Sequence, residues 1–502
     1  MIVLTPEEMA ELDQKTIENG FPSLLLMETA GRGIAEVIKE KYGRNEKILI
    51  LAGSGNNGGD GLVVARLLDI WNYNVKIIIV GEKEKLNSDP LKNYKTCKLR
   101  DIELQFFNSH NEFKELKETI SNSDVIVDSL LGTGLSGDLR EPFLNIVSLI
   151  NNSEKEVVAV DIPTGIDGGT GKVMGKAVKA ETTVTMAFSK VGHYIYPGYR
   201  HTGELVTVDL GIPAKYVDKD KYNHHNLTLK EAEELLPKRP QNGHKGTFGK
   251  VLVVGGSFGY EGAPALTGES ALKMGTGLVK LLVPEKINNT VSSYCKELTS
   301  GYLSINKVEE EIDKFDVIAL GPGLGVGKKQ EKIVSYILNN SSVPVVVDAD
   351  GLNNLSLKEL KRANCEVVLT PHPGEFSRLI DKSIKEIQVN RVKYIREFAK
   401  KYDTNILLKG ANTLIADKTG EIYINITGND GLATAGSGDV LTGIISSLSG
   451  QQLSLYKSAV LGAFMHGLAG DIGTQEVGSY SLLAGNITEN IPPAISKIIR
   501  GC

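Results

Sequence analysis

Asn425-Ile426-Thr427-Gly428-Asn429-Asp430-Gly431-Leu432-Ala433-Thr434-Ala435-Gly436-Ser437-Gly438-Asp439 is the stretch on which the reading of the chain turns. From Ala433 to Gly438 the side chains are small, so backbone N–H groups can come close to a bound group. Val440, Leu441, Ile444, Ile445 and Leu448 follow at helical spacing. Asp439 therefore falls at a helix start, where free N–H groups and the helix dipole favour an anion. A carboxylate beside a bound phosphate is costly unless it takes a proton from a nucleophile or holds a metal. An aspartate here could also simply cap the helix, but a cap needs no glycine run before it.

Working outward, 502 residues are too many for one ordinary core and predict more than one domain. A hydrophobic content of 41%, a charged content of 23% and a net charge of −5 describe an ordinary soluble protein without a basic stripe. Nucleic acid is thereby argued against as a main partner. No apolar run approaches a membrane span, and Met1 to Glu8 lacks the basic residues of a secretory signal. Cys97, Cys295, Cys365 and Cys502 lie far apart, which fits a reducing compartment and offers neither a zinc site nor a redox pair. The 54 glycines predict many tight loops after strands. The expectation is a cytoplasmic α/β enzyme.

In the first half, residues 5–42 read as helical. Lys47 to Leu51 then read as a buried parallel strand running into Ala52-Gly53-Ser54-Gly55-Asn56-Asn57-Gly58-Gly59-Asp60-Gly61 and a helix carrying Val64, Leu67, Leu68 and Trp71. Gly53-x-Gly55-x-x-Gly58 matches a dinucleotide fingerprint, yet the acidic residue expected after the next strand, Glu82, comes one step late. Asn56, Asn57 and Asp60 beside glycines suit a cation or a polar substrate better; otherwise the asparagines simply occupy turns. Strands are predicted over Val75–Val80, Asp124–Asp128, Val157–Asp161, Thr182–Ala187 and Glu204–Leu210. Asn57, Asp128, Asp161 and Thr164 would then gather at C-terminal strand ends, where parallel sheets bind ligands. Oxygen donors without histidine or cysteine favour a hard cation.

GNNGGDG (55–61), VDSLLGTGLSG (127–137) and VAVDIPTGIDGGTG (158–171) resemble the epimerase domain of the nicotinamide-nucleotide-hydrate repair proteins, over roughly the first 220 residues. The resemblance implies a Rossmann-like three-layer αβα domain over 1–221. It implies that Asn56, Asn57, Gly58, Gly59 and Asp60, with Gly132, Thr133, Gly134, Leu135, Ser136, Gly137 and Asp138, line the substrate. Asp161 would contact the damaged ring and handle protons there, and Asn57, Asp128 and Thr164 would hold a potassium ion.

The junction, Tyr216 to Lys221 and Pro237 to Pro240, mixes charge and proline, and the boundary is placed near Tyr222. His224-His225 has no third ligand at usable spacing and reads as a solvated linker rather than a metal site. A second strand–helix series is predicted over Lys250–Val254, Leu278–Val283, Asp316–Leu320, Val343–Val347, Val367–Thr370 and Asn405–Leu408, with a hairpin of Thr413–Ala416 and Glu421–Ile426. His372 is held stiffly between Pro371 and Pro373, which suits a substrate contact or a satisfied loop histidine equally. Lys409, just past a strand, is a phosphate contact or a surface lysine.

TPHPGE (370–375), LLKGANT (407–413), NITGN (425–429) and AGSGD (435–439) resemble the hydrate dehydratase domain of the same family, over roughly residues 223–500. That resemblance implies a ribokinase-like α/β domain over 222–502, with Lys409, Gly410, Ala411, Asn412, Thr413 and Gly438 binding ADP or ATP. Gly323, His372 and Asp439 would touch the hydrated dinucleotide, with Ala263 or Ala265 close by. The implied substrates are hydrated NADH and NADPH (NADHX and NADPHX), with magnesium and potassium as ions and a homo-oligomer as the assembly. Bacterial relatives generally use ADP, giving AMP and phosphate. Phosphorylating the ring hydroxyl would turn a poor leaving group into a good one, with Asp439 as base and the N–H groups of Ala435 to Gly438 holding the charge. One stereoisomer of the hydrate fits such a site, and the epimerase would supply it from the other. Alternatives are an ADP- or ATP-dependent small-molecule kinase fused to a nucleotide-binding domain, a nicotinamide oxidoreductase and a non-catalytic nucleotide sensor.

Overall fold

The computed structural model describes residues 1–86, 88–108, 112–218 and 221–501. Lys219 and Asp220 of the junction, and Cys502, lie outside the described residues. The chain divides into two compact units, Ile2–Tyr222 and Asn223–Cys502, the latter joined by Met1.

In the first unit the strands are β1 (Lys47–Ala52), β2 (Asn74–Val80), β3 (Glu103–Phe107), β4 (Val125–Ser129), β5 (Glu156–Val160), β6 (Thr182–Met186) and β7 (Glu204–Val208). They form one seven-stranded sheet in the order β3-β2-β1-β4-β5-β6-β7, parallel throughout. Side chains of a strand alternate between faces. Ile48 and Ile50 of β1 enter a core with the helices Ser23–Lys41 and Asn56–Ile70. Leu49 and Leu51 enter another with the helices Phe113–Asn122 and Phe143–Asn151. Helices therefore cover both faces and make three layers. Strand order reverses between β1 and β4, the place where such sheets open a crevice for a ligand. The predicted helix over residues 5–42 is two helices, Pro6–Glu18 and Ser23–Lys41. Gly20-Phe21-Pro22 separates them, since proline cannot continue the hydrogen-bond ladder. Leu24 and Leu25 are exposed, leaving Leu26 and Met27 as the buried part of that apolar run.

The second unit contains β8 (His224–His225), β9 (Lys250–Val254), β10 (Leu278–Val283), β11 (Thr299–Tyr302), β12 (Val317–Leu320), β13 (Val345–Val347), β14 (Val367–Leu369), β15 (Asn405–Leu408), β16 (Leu414–Ala416) and β17 (Ile422–Ile424). Its ten-stranded sheet runs β11-β10-β9-β12-β13-β14-β15-β16-β17-β8, with β16 antiparallel to both neighbours. The reversal of order falls between β9 and β12. The histidine pair is no solvated linker. It adds a strand beside β17, with His224 buried at 4% exposure and its Nε2 2.6 Å from Arg396 Nη2. No group of three metal-ligating side chains is placed to hold an ion there or elsewhere among the described residues.

Candidate active sites

The stretch before Asp439 folds as its composition dictates. Gly436 takes φ = 87°, a left-handed conformation open to glycine, and the helix Ser437–Gly450 starts immediately after it. Asp439 lies in the first turn, among N–H groups without helical partners. The helix Gly262–Lys273 packs against this helix so closely that a Cβ on Gly443 would sit 2.2 Å from the Thr267 carbonyl oxygen. Thr267 Oγ1 also donates to the Asp439 carbonyl oxygen at 3.1 Å, tying the first turn to that neighbour. Ser437 Oγ and His466 Nε2 are 3.0 Å apart behind it, and burial pushes the His466 pKa down to about 4, so it is neutral.

Lys409 and Asp348 face this helix start. Lys409 Nζ donates to Asp348 Oδ1 at 2.7 Å, and Thr442 Oγ1 donates to Asp348 Oδ2 at 2.8 Å. A Cβ on Gly438 would come within 3.3 Å of Lys409 Nζ, so glycine leaves the ammonium open to the loop above. Burial alone would lower the Lys409 pKa, but Asp348, Glu375 and Asp439 outweigh it and hold the ammonium charged. Burial, with Asp348 and then Asp350 adding and Lys409 opposing, pushes the Asp439 pKa up to about 7. A base near neutrality takes and returns protons under working conditions.

Around them, Thr413 Oγ1 donates to the Gly410 carbonyl at 3.0 Å, closing the loop of Lys409 to Thr413. Arg391 Nη1 donates to the Ala411 carbonyl at 2.7 Å. Gly323 has φ = 62°, and a side chain there would meet Tyr260 and Ala263. Ala263 is therefore the alanine beside Gly323, whereas Ala265 is buried in the core of the unit. His372 is both stiff and half-exposed. Its Nδ1 accepts from the N–H groups of Gly374 and Glu375 at 3.0 and 3.3 Å, which leaves Nε2 as the donor, 3.5 Å from Glu375 Oε1. Tyr260, exposed, stands against Gly323; sequence reading missed it, since nothing distinguishes a surface aromatic in a glycine-rich turn.

In the first unit a cavity of about 710 Å3 opens at the β1–β4 reversal. Asn56, Asn57, Asp60, Gly132 to Ser136 and Asp161 line it; of the four residues the strand-end argument named, Asn57 and Asp161 are among them. Gly58 and Gly59 do not. They are buried, with Gly58 packed on the Gly53 carbonyl and Gly59 on Met27 and Pro90. Gly137 and Asp138 are exposed and also stand outside the lining, because the loop turns outward after Ser136. Asp128 and Thr164 sit just behind it. Thr164 donates to Asp128 through Oγ1 at 2.7 Å and through its backbone N–H at 2.8 Å. Both amide atoms of Asn57 are buried without a hydrogen-bond partner among the described residues, and the amide abuts Gly132.

Asp161 adopts φ = 64°, strained for a residue with a side chain. Its Oδ1 accepts from Lys190 Nζ at 2.5 Å and Thr185 Oγ1 at 3.0 Å. Burial alone would raise its pKa; Lys190 beside it wins and holds the carboxyl ionised. His193 accepts at Nδ1 from the Lys190 N–H at 3.0 Å and donates from Nε2 to the Asp161 carbonyl at 2.9 Å. Burial, with Lys190 adding, lowers its pKa to about 4, so it stays neutral and acts as a brace. Asp60 is raised well above the ordinary carboxylate range by burial, then by Asp161 and Asp13. Lys190 and Asp13 both line the cavity and both escaped the sequence reading, as neither stands near a glycine motif.

Comparison with known proteins bears on both sites. Residues 251–493 match the family model described as NAD(P)H-hydrate dehydratase, and residues 23–192 match that of the YjeF-related protein N-terminus. The bifunctional NAD(P)H-hydrate repair enzyme of Moorella thermoacetica is 38% identical over 99% of this chain and 97% of its own length. The chain belongs to the bifunctional NAD(P)H-hydrate repair enzyme family. Another member, from Thermofilum pendens, is 36% identical over 99% of this chain and 97% of its own. A solved ADP/ATP-dependent NAD(P)H-hydrate dehydratase from Bacillus subtilis, co-crystallised with ATP and Mg2+, is 32% identical, with a TM-score of 0.49 over 54% of this chain and 98% of that one. A ribokinase-like superfamily protein from Enterococcus faecalis is 28% identical, with a TM-score of 0.49 over 55% of this chain and 96% of that one.

Proposed function

We infer that this chain repairs hydrated NADH and NADPH, interconverting the R and S hydrates in the first unit and dehydrating the S hydrate in the second. The observation that carries the reading is Asp439: a buried carboxyl with a pKa of about 7, in the first turn of a helix and beside the Lys409–Asp348 pair. A plain helix cap has no need of a neighbouring buried ammonium.

In the second unit the substrate hydroxyl would lie against Asp439, which takes its proton as the hydroxyl attacks the terminal phosphorus of the nucleotide. The first-turn N–H groups and Lys409 stabilise charge on the moving phosphoryl group. The ring nitrogen lone pair then expels phosphate, and loss of a proton from the neighbouring ring carbon forms the ring double bond, returns the pair to nitrogen and restores the reduced ring. Lys409 to Thr413 and Gly438 would hold the nucleotide, with Gly323, His372 and Ala263 against the dinucleotide. ADP is the proposed donor, leaving AMP and phosphate. Magnesium would ride on the nucleotide phosphates.

For the first unit we place potassium at Asn57, Asp128 and Thr164. The residues fit a hard cation: an unpartnered buried amide, a hydroxyl, and a buried carboxylate with no paired cation among the described residues. Such an ion supplies fixed positive charge that orders the two loops. Asp161 would meet the ring. Among the described residues no helix is long and apolar enough to cross a membrane, and a cytoplasmic homo-oligomer is part of the proposal.

The test mixes both hydrate stereoisomers with protein, magnesium, potassium and either ADP or ATP, and follows absorbance of the reduced cofactor. Full recovery with ADP, and none without nucleotide, is expected. Recovery without nucleotide, or a stable phosphorylated product, would overturn the reading.

A further inference from the structure

Asp13 lies in the middle of the helix Pro6–Glu18, yet it does not behave as a surface aspartate. Met9, Ala10, Asp13 and Ile17 share one helix face, and all four line the cavity of the first unit. Asp13 is the one ionisable side chain on that face. Its Oδ1 is fully buried and has no hydrogen-bond partner among the described residues. A buried carboxylate oxygen left unsatisfied costs folding free energy and, mid-helix, caps nothing. Such a group points to a ligand rather than to the scaffold.

Its surroundings are equally specific. Across the same cavity stand Lys190 and Asp161, joined to one another at 2.5 Å, and Asp60 from the helix Asn56–Ile70. Asp161 is therefore committed as an anion to its lysine, while Asp13 has no cation to itself. Of these three carboxyl groups, Asp161 is tied to an ammonium and Asp13 is not, a division between anion and acid.

We propose that Asp13 is a catalytic residue of the hydrate epimerisation, the general acid and base that removes and returns the ring hydroxyl as water. The proposal rests on the epimerase reading of this cavity. The Asp13 carboxyl gives its proton to the hydroxyl oxygen, and the carbon–oxygen bond breaks with its electron pair leaving in water. The lone pair of the adjacent ring nitrogen forms a carbon–nitrogen double bond, and the resulting cation is stabilised by the Asp161 carboxylate. Water then bonds to the other face of that carbon, the pair returns to nitrogen, and the proton shed by the incoming water passes through intervening water back to Asp13. Nothing is oxidised or reduced, and one water leaves as one enters. Burial raises the Asp13 pKa to about 6 against the pull of Lys190, with Asp161 adding, so the group carries a proton often enough to serve near neutrality.

The experiment uses the full chain without nucleotide, following interconversion of purified R and S hydrates by chromatography in water enriched in heavy oxygen. Wild type should invert the centre and place heavy oxygen on it faster than the uncatalysed exchange. Asp13→Asn should lose about a hundredfold in kcat with KM changed by less than about threefold, and Asp13→Glu should restore part of the loss. Nucleotide-dependent dehydration of the S hydrate by the same Asp13→Asn preparation reports that the second unit is folded, and a melting curve matching wild type reports that the first is. Inversion by Asp13→Asn within threefold of wild type, or inversion by wild type that keeps the original oxygen, would overturn the proposal. A folded wild type that interconverts nothing would instead overturn the epimerase reading beneath it.

Discussion

Lys409 and Asp348 form an ion pair at 2.7 Å, and the second oxygen of Asp348 accepts from Thr442 Oγ1 at 2.8 Å. Asp348 is 1% exposed, so each partner is the other's main compensation for leaving solvent. Removing one partner of such a pair is worse than removing both, because a lone buried charge remains.

Lys409→Met should therefore cost about 3–5 kcal/mol of stability, read as a fall in Tm on the order of 10 °C for a unit of this size. The double variant Lys409→Met with Asp348→Leu should recover much of the loss. Calorimetry decides the matter, and losses that simply added would contradict a coupled pair.

Asp439→Asn should abolish dehydration while leaving nucleotide binding within a few-fold of wild type. The native carboxyl has a folded pKa of about 7 against an ordinary value of 3.8, so the folded state binds the proton more tightly than the unfolded chain. Its contribution to stability is complete below pH 3.8 and is lost as pH rises through 7. At pH 8 the variant should consequently be more stable than wild type, by about 1–3 kcal/mol. Wild-type turnover should climb with pH up to about 7 and level off above it. A pH–rate profile that is flat from 5 to 8 would remove Asp439 as the base.

Potassium should raise the thermal stability of the chain where sodium at the same ionic strength does not. A ligand that binds only the folded state adds about 2.7 kcal/mol at a hundred times its Kd. Asp128→Asn should erase the difference, since it removes the one formal charge offered by the donor set. Identical melting curves in the two salts would refute an ion at Asn57, Asp128 and Thr164.

Much of this fold could be read from apolar runs. Lys47 to Leu51 and Val251 to Val254 are continuous because both faces of their strands are covered. β3, with Glu103, Gln105 and two phenylalanines, and β11, Thr299-Ser300-Gly301-Tyr302, are edge strands that lack such runs, and neither was predicted. β8 could not be foreseen at all, since two histidines become a strand only because β17 is there to pair with them. The glycine-flanked residues of both sites were legible because close backbone approach leaves a mark in composition. Lys190 was not, as its partner Asp161 lies 29 residues away and burial alone tells it from a surface lysine. Asp13 did leave a trace, a lone acid inside the stripe Met9-Leu12-Asp13-Thr16, which reads as amphipathic noise until the cavity is seen.

Gly443→Ala tests how the Asp439 base is held. An added Cβ would stand 2.2 Å from the Thr267 carbonyl oxygen and 2.9 Å from Ser270 Cβ, so the two helices must separate. Overpacking of this kind costs about 1–3 kcal/mol. It should also carry Asp439 away from the helix Gly262–Lys273, because Thr267 Oγ1 holds the Asp439 carbonyl at 3.1 Å. A shift near 1 Å is enough to cost on the order of a hundredfold in rate. The expected pattern is a dehydration kcat at least about tenfold lower with KM little changed, and epimerisation untouched. Gly485→Ala, where an added Cβ meets nothing within 4 Å, is the matched control and should melt and turn over as wild type. Should Gly443→Ala lose stability while keeping full kcat, the helix pair would be a scaffold only, and the placement of the carboxylate would have to come from Lys409 and Asp348.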